Sequence, residues 1–319
     1  MGVSRIKLFI YHHDLLAKLY NIYRNYRRDK YNGMSDEDFA RMYYKQQTGK
    51  ELNLENPATY NDKLWYLKLH VRDPLLTRCT DKLLVRDYVK ECGLGHILNQ
   101  LYGVYDDFED IDFDTLPGPC ILKYNHTSGT NTIYDRTKPF DYRYQKNEFQ
   151  FWKKRNSYWS NREWNYKDIE PKIICERLLT QPGKDCLDDY KFMCFGGKVK
   201  LVFGEVGICN EDGSHNEDSK RNVYDRDFNL IEGARFSREN FDPALLPKPK
   251  NYELMVEYAE KLSAPFIHCR VDLYNIDGEI YFGELTFYHQ AGRSVIYPEK
   301  LDYEAGSWID LTQIKEKQA

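Results

Sequence analysis

Two short segments near the C-terminal end place charged and hydroxyl side chains at alternating positions. Arg270 and Asp272 lie in the first segment, Glu284 and Thr286 lie in the second, and apolar residues separate them. Alternate residues of a β-strand project to the same face of its sheet, so each segment predicts a strand with one polar face. The turn residues 276–278 (IDG) between them predict a β-hairpin.

The length of that turn decides which side chains share a face. A two-residue loop would place Asp272 opposite Gly283 and send Glu284 to the other face. A three-residue loop, with Gly278 in the left-handed conformation, would place Arg270 opposite Glu284 instead. We predict the three-residue loop, with an apolar face formed by Val271, Leu273, Tyr281 and Leu285.

Two carboxylates on a rigid hairpin repel each other unless a cation lies between them. Mg²⁺ prefers hard oxygen ligands, and the carboxylates of Asp272 and Glu284 supply them. Arg270 beside such a site would face charge that develops on a phosphate group. The alternative is a solvated polar face of a surface hairpin with an ordinary Arg–Asp pair. The hairpin alone leaves both interpretations open.

A lysine followed by a loop of small residues is the second candidate site. Residues 121–123 (ILK) predict the end of a strand, and residues 125–131 (NHTSGTN) follow it. Backbone N–H groups of such a loop can approach phosphate oxygens, with Lys123 as a point charge. The loop lacks the Walker pattern, and a surface turn is the alternative. His126 is either a base or, as is more usual, a hydrogen-bonding residue.

The rest of the 319-residue chain must position these groups, and its length predicts two or three packed subdomains. Helical patterns dominate residues 1–56 and continue after Pro57, whereas short apolar runs typical of strands begin near Leu101. A further helix is predicted at residues 252–262. The predicted class is α+β with mainly antiparallel sheet.

The charge and the cysteine content of the chain limit its expected partners and its expected cellular compartment. The net charge is −4 with both signs intermixed, which provides no basic field for nucleic acid. The eight cysteines include no CxxC pair and predict buried free thiols in a reducing compartment, hence a cytoplasmic protein without a zinc site. Residues 6–31 mix apolar and basic positions, which predicts an amphipathic helix packed on the domain. Peripheral contact with the inner face of a membrane, or with an assembly partner, is the alternative.

The candidate segments follow a fixed order along the chain. A strand lysine with a Gly/Ser loop comes first, then a strand ending in Glu176, then a strand with an acidic start, and last the hairpin. This order resembles the ATP-grasp superfamily, which includes the D-alanine:D-alanine ligases, and most closely its TupA-like (teichuronopeptide biosynthesis) branch. The motifs that carry the resemblance are specific in combination and span about residues 55–312. They are residues 56–64 (NPATYNDKL), 105–116 (YDDFEDIDFDTL), 122–129 (LKYNHTSG), 162–166 (REWNY), 189–192 (DYKF), 220–225 (KRNVYD), 270–274 (RVDLY) and 282–287 (FGELTF).

The resemblance implies an ATP-grasp fold in which two α+β subdomains clasp ATP. Residues 1–56 would form an N-terminal helical region and 57–117 a pre-ATP-grasp-like region. Residues 118–178 would form the small subdomain with the phosphate loop, and 179–319 the large subdomain with the metal site.

The resemblance also implies a role for each matching residue. Lys123 and Arg221 would contact the ATP phosphates, and Ser128 and Gly129 would close over them. Glu176 would lie at the adenine and Asp189 at the ribose. Arg270 would stabilise the transferring phosphoryl group, while Asp272, Glu284 and Thr286 would hold Mg²⁺. The chain departs from the pattern at Thr286, where many ATP-grasp enzymes have asparagine, and in a phosphate loop with fewer glycines.

The implied activity is ATP- and magnesium-dependent ligation of a carboxylate to an amine through an acyl phosphate. Because TupA-like relatives are associated with cell-surface polysaccharide or capsule assembly, the expected substrates are an acidic sugar or polysaccharide precursor and an amine. The alternatives are a sugar kinase, a glycosyltransferase and a nucleotide-binding scaffold. No DxD motif typical of many glycosyltransferases is evident at a strand end, and the intact charged set argues against a scaffold.

Overall fold

The structure is a computed structural model that describes residues 5–184, 186–210 and 212–314. Helices α1 (Arg5–Tyr11), α2 (Asp14–Arg28) and α3 (Asp36–Thr48) lie before residue 57, as the sequence pattern predicts. Ser35 is the N-cap of helix α3, and its side chain accepts a hydrogen bond from the backbone N–H of Asp38. Its apolar face packs with Trp65 of the following helix.

Helix α2 packs on the protein with the opposite face to the one predicted. Ala17 and Asn21 are buried, whereas Leu15, Leu19 and Ile22 are more than half exposed. The expectation that the apolar positions bury themselves on the domain is therefore wrong. The physical reason is tertiary, because polar partners on a later helix engage the polar side of α2.

A helical layer follows Pro57 and is tied to the C-terminal part of the chain. It contains α4 (Tyr60–His70), α5 (Pro74–Thr80) and α6 (Val85–Glu91). Thr59 and Asp62 form a reciprocal capping box that fixes the start of α4. The backbone N–H of Tyr60 then donates to Asp302 of helix α10 (Glu299–Ser307) at 3.0 Å. This layer thereby becomes continuous with the core of the larger sheet.

The smaller sheet carries the predicted lysine. Its strands are β1 (Leu101–Tyr105), β2 (Cys120–Tyr124), β3 (Thr132–Tyr134) and β4 (Ile173–Arg177), in the order β1-β4-β2-β3 with antiparallel pairing. Helices α7 (Tyr142–Lys153) and α8 (Ser157–Asn161) lie between β3 and β4 in the chain. Cys120, Leu122 and Tyr124 enter an aromatic core with Phe149. Alternation therefore leaves Lys123 on the opposite face.

The larger sheet carries the predicted carboxylates. Its strands are β5 (Asp189–Phe195), β6 (Lys198–Val206), β7 (Lys220–Asp225), β9 (His268–Ile276) and β10 (Glu279–Thr286), in the order β10-β9-β5-β6-β7. Short strands β8 (Arg235–Phe236) and β11 (Ile296–Tyr297) pair separately. Helix α9 (Tyr252–Ser263) packs on the face that contains Phe192 and Val271. The alternate residues of these strands project to the opposite side of the sheet and form its polar face.

The β9–β10 hairpin has a different turn from the predicted one. Ile276 pairs with Glu279, so the loop contains two residues, Asp277 and Gly278, and both have positive φ. A bulge at Gly283 then adds one residue to β10 and shifts the register. The predicted three-residue loop is wrong, but the predicted grouping of polar residues on one face is confirmed. Phe282 takes the place predicted for Tyr281 on the apolar face, since Phe282 pairs with Leu273 and Tyr281 pairs with Tyr274.

The cysteines are not all free. Cys186 and Cys209 form a disulfide with a Cα–Cα distance of 6.0 Å, which corrects the prediction of eight free thiols. The other six are free, and five of them are buried. The pairing escapes a sequence pattern because it joins two segments separated by 23 residues. In the described part of the chain, no helix is long and apolar enough to cross a membrane.

Candidate active site

Three neighbouring strands of the larger sheet place a lysine among carboxylates. Lys191 of β5 lies opposite Asp272 of β9, and Asp189 of β5 lies opposite Glu205 of β6. The Lys191 ammonium contacts Asp272 at 3.2 Å and Glu205 at 3.4 Å, and it also pairs with Asp189. Burial alone would lower the pKa of Lys191, but these carboxylates raise it above its usual value, so the lysine is charged.

Arg270 joins the two carboxylates that the sequence predicts as metal ligands. Its guanidinium makes two hydrogen bonds to Asp272, at 2.6 and 2.7 Å, and one to Glu284 at 3.0 Å. Thr286 donates its hydroxyl hydrogen to the same Glu284 oxygen at 3.2 Å. The structure therefore brings together all four predicted hairpin residues, three of them through the carboxylate of Glu284.

A second lysine links this hairpin to the loop after β2, which is the predicted phosphate loop. Lys82, between α5 and α6, lies 3.5 Å from Glu284 and donates a hydrogen bond of 2.8 Å to the carbonyl oxygen of Thr127. Burial would raise the pKa of Glu284, but Lys82 and Arg270 lower it to about 2. The carboxylate is therefore ionised at neutral pH and available to a cation.

The loop after β2 presents its small residues at the surface. Ser128 and Gly129 are exposed, Gly129 has φ +69°, and no heavy atom lies within 4 Å of a Cβ added there. The flanking Thr127 and Thr130 are buried and joined by a side-chain hydrogen bond. His126 is 1% exposed, and burial lowers its pKa to about 4. The imidazole is therefore neutral, but neither of its ring nitrogens has a hydrogen-bond partner among the described residues, so the hydrogen-bonding role and the role of a base both stay predictions.

On the smaller sheet the structure brings two predicted residues together. Lys123 contacts one oxygen of Glu176 at 2.8 Å, and Arg86 of α6 contacts the other oxygen at 2.8 Å. Arg86 also donates to the carbonyl of Asn99 at 2.7 Å. Glu176 thus lies between two basic side chains, near the end of β4 where the chain leaves this sheet for β5.

Arg221 lies deeper in the larger sheet than a phosphate ligand at the surface would. It is 2% exposed, pairs with Glu205 and donates to the carbonyl of Phe236 at 2.9 Å. Its guanidinium is also 3.2 Å from Nε2 of His289, whose Nδ1 is 2.8 Å from the guanidinium of Arg270. His289 therefore stands between the two predicted arginines, and burial lowers its pKa well below the usual range.

Asp189 is the least satisfied member of the group. Its Oδ1 is buried and has no hydrogen-bond partner among the described residues. Burial raises the pKa of Asp189 to about 7, because the loss of water and the carboxylates of Asp272 and Glu205 outweigh the pairing with Lys191. A buried acceptor without a donor is the kind of group that a ligand hydroxyl can satisfy.

The sequence is similar to that of a known protein family. The model of the TupA-like ATP-grasp family matches residues 62–310, more than half of the chain. The chain belongs to the TupA-like ATP-grasp family. Membership places it in the ATP-grasp superfamily of ATP-dependent ligases and confirms the expected fold.

Among solved structures, the D-alanine–D-alanine ligase of Bacillus anthracis is similar in fold. The similarity extends over 76% of this chain and 71% of the ligase chain, with 17% sequence identity and a TM-score of 0.44. The L-amino acid ligase of Bacillus licheniformis covers 74% and 51%, with 13% identity and a TM-score of 0.42. At these values neither similarity bears on substrate or mechanism. No curated protein matches the sequence.

The donor set of this TupA-like chain fits a magnesium ion that is completed by other ligands. Asp272 and Glu284 lie opposite each other, and Thr286 adds a hydroxyl, so every donor is a hard oxygen. Among the described residues no group of three or more His, Cys, Asp or Glu side chains could hold a metal by itself. Mg²⁺ usually takes one or two carboxylates and fills its remaining positions with phosphate oxygens and water, which this set allows.

Sequence reasoning missed four charged residues of this site: Lys82, Arg86, Lys191 and Glu205. Lys191 had a usable signal, since it lies two residues after Asp189 and must share its face. Glu205 lies near the end of β6, in which Val202 and Phe203 are also buried, and nothing local marks it as a partner of Arg221. Lys82 and Arg86 lie outside the strands, and Arg86 is 90 residues from its partner Glu176.

Proposed function

We propose that this protein is an ATP- and Mg²⁺-dependent ligase that joins a carboxylate to an amine through an acyl phosphate. The observation that carries the proposal is the position of Arg270, which bridges Asp272 and Glu284 next to Lys82 and the phosphate loop. Carboxylates for a hard cation and side-chain cations for phosphate oxygens are thereby placed side by side. Phosphoryl transfer depends mainly on such positioning and charge stabilisation.

The first step forms a mixed anhydride. An oxygen of the substrate carboxylate attacks the γ-phosphorus of ATP, the bond from phosphorus to the β–γ bridging oxygen breaks, and ADP leaves. Lys82, Lys123 and Arg270 would stabilise the negative charge on the phosphate oxygens. When bound to Asp272 and Glu284, Mg²⁺ would neutralise further charge on those oxygens.

The second step uses that anhydride. The lone pair of an amine attacks the carbonyl carbon of the acyl phosphate, the bond from that carbon to the bridging oxygen breaks, and inorganic phosphate leaves with that oxygen as the amine loses a proton. No side chain forms a covalent bond in either step. The catalytic contribution of the protein is therefore the orientation of two substrates and the exclusion of water from the acyl phosphate.

The roles of individual residues follow from their surroundings. Lys123 is assigned to phosphate and Glu176 to the adenine end, which requires their mutual ion pair to open when ATP binds. Asp189, with its buried unsatisfied oxygen, is assigned to a ribose hydroxyl. Arg221 is assigned to the phosphates through His289 and Arg270, because its own guanidinium is covered.

The proposed substrates are an acidic sugar, such as a uronic acid or a polysaccharide precursor that carries one, and an amine, in cell-surface polysaccharide or capsule biosynthesis. The family to which the chain belongs supports this class. Because the reaction consumes ATP, we place it in the cytoplasm. Transfer of phosphate to a sugar hydroxyl would instead leave a stable phosphosugar, so the products separate ligase from kinase.

The test is an assay of purified protein with ATP, Mg²⁺, a panel of uronic acids and hydroxylamine. Hydroxylamine attacks an acyl phosphate to give a hydroxamate, which reports the intermediate without knowledge of the natural amine. We expect hydroxamate and ADP in equal amounts, and transfer of ¹⁸O from labelled carboxylate to phosphate. Formation of a phosphosugar, or sugar transfer from a nucleotide sugar without ATP, would contradict the proposal.

A further inference from the structure

The N-terminal helices present their polar side to the protein. Tyr11 is fully buried and donates its hydroxyl hydrogen to Asn21 at 2.7 Å. The side-chain amide of Asn21 donates to the backbone carbonyl of Asn147 at 3.1 Å, and Arg24 pairs with Glu148 at 2.8 Å. These bonds hold α1 and α2 against α7 by hydrogen bonds and ion pairs, and they fix the rotation of α2 about its own axis.

The opposite side of the same helices is apolar and exposed. Leu15, Leu19, Ile22 and Tyr26 follow one another at intervals of four, three and four residues, so they form one stripe along α2. Their exposed fractions are 71%, 56%, 56% and 78%. Helix α1 adds its own exposed apolar residues, Ile6 and Phe9. We call these six residues the N-terminal apolar face.

Charge around this face is opposite in sign to that of the whole chain. Residues 5–30 contain two aspartates and seven lysines or arginines, a local net charge of +5 in a chain of −4. Lys18 is exposed and lies between Leu15 and Leu19 in the sequence, next to the apolar stripe of α2. Lys30, just after the end of α2, is also exposed. An amphipathic helix with an exposed apolar stripe and flanking cations is typical of segments that lie in the interface of a bilayer.

We propose that the N-terminal apolar face binds the surface of an anionic lipid bilayer, with α1 and α2 parallel to the membrane plane. The apolar side chains enter the boundary between headgroups and acyl chains, while the cations contact anionic headgroups. A second copy of the chain fits the face less well, because an isologous dimer would bring the exposed lysines Lys18 and Lys30 of two copies together. The proposal does not depend on the identity of the reaction or its substrates.

The test is flotation of the full chain with vesicles of phosphatidylcholine alone, or of phosphatidylcholine with about one third phosphatidylglycerol. We expect binding to the anionic vesicles and weaker binding to the neutral ones. Leu19→Gln/Ile22→Gln keeps a good helix former at two exposed positions and should lower the partition coefficient at least about tenfold. Lys18→Gln/Lys30→Gln should lower it about 25-fold, at roughly fivefold per cation.

The matched control is Leu245→Gln/Leu254→Gln, which removes two other exposed leucines and should bind vesicles as the wild type does. The circular dichroism spectrum and the melting temperature should be the same in every variant, which shows that the fold is intact. Equal binding to both kinds of vesicle, or full binding by Leu19→Gln/Ile22→Gln, overturns the proposal. So does a lipid-free wild-type dimer in sedimentation velocity that Leu19→Gln/Ile22→Gln converts to a monomer, since that result assigns the face to a second copy.

Discussion

Glu284 lies directly opposite Asp272 in the β9–β10 hairpin because Gly283 forms a bulge between Phe282 and Glu284. Without that extra residue, the two-residue loop would pair Asp272 with Gly283 and send Glu284 to the apolar face. The bulge therefore creates the carboxylate pair. It also explains why this position is a glycine, since an added Cβ would lie 3.0 Å from the carbonyl oxygen of Asp272.

Gly283→Ala should weaken both the fold and the site. The new methyl group must push against the Asp272 backbone, and we expect a loss of about 1–3 kcal/mol in the free energy of unfolding. Urea denaturation measures this loss. Gly33→Ala is the control, because no heavy atom lies within 4 Å of the added Cβ. Equal stability of the two variants would show that β10 absorbs the methyl group and that the bulge does not constrain Asp272.

Lys82→Met should slow ATP turnover about 10- to 100-fold. The substitution removes the cation that lies 3.5 Å from Glu284 and holds the carbonyl of Thr127, so the phosphate loop loses its link to the hairpin. ADP release measured at saturating Mg²⁺ checks the prediction. Lys90→Met, which changes an exposed lysine of α6, is the matched control and should leave turnover unchanged. Wild-type turnover by Lys82→Met would remove Lys82 from the site.

Arg270→Lys should reduce kcat about 10²- to 10³-fold although the charge is kept. A lysine cannot contact both oxygens of Asp272, the carboxylate of Glu284 and the ring of His289 at once. Steady-state kinetics compares this variant with Arg226→Lys, a change at a surface arginine. A kcat within about threefold of the wild type would mean that charge alone suffices at position 270.

The stability of the fold should fall in weak acid, and His268 should contribute. Its Nδ1–H donates to the carbonyl of Cys194 at 2.8 Å, and its Nε2 accepts from the hydroxyl of Tyr60 at 2.9 Å. Burial lowers the pKa of His268 from 6.5 to about 4. The unfolded chain therefore binds more protons between these values, and the unfolding free energy falls as pH is lowered through that window.

From pH 6.5 to 5 the expected loss from His268 is about 2 kcal/mol. His268→Gln removes the titrating group, so the difference in unfolding free energy between wild type and variant should shrink by about that amount over this interval. Denaturant unfolding at several pH values gives both curves. Parallel curves would show that His268 is already protonated in the fold, or that its site opens to water in acid.

Elements with a clear period were predictable from the sequence. The runs that become β1 and β2 are short and apolar, and α9 shows a helical spacing, so each lies where the pattern predicts. The polar face of the hairpin was also predictable, since alternation alone groups Arg270 with Asp272. The long segment from β3 to β4 is polar and rich in aromatic residues, which indicates one helix and a long connection without fixing their bounds, and the structure has two helices there, α7 and α8.

What could not be predicted depends on contacts between distant segments. A bulge adds one residue without changing composition, so the sequence could not reveal that Gly283 restores the shared face. The pattern of α2 shows two faces but not which one turns inward, because Asn147 and Glu148 of another helix decide that. Glu205 illustrates the same limit, since Arg221 and Lys191 hold its pKa well below the usual range despite burial, and neither is its neighbour in sequence.

The most direct test of the central claim is calorimetry of ATP binding with and without Mg²⁺ for the wild type, Glu284→Gln and Asp277→Asn. Asp277 is an exposed carboxylate at the tip of the same hairpin, so its variant is a matched control. We predict that Mg²⁺ tightens ATP binding at least about tenfold in the wild type and in Asp277→Asn, and that Glu284→Gln loses this dependence. Failure of the wild type to bind ATP, or an unchanged magnesium dependence in Glu284→Gln, would contradict the assignment of the metal site to this hairpin.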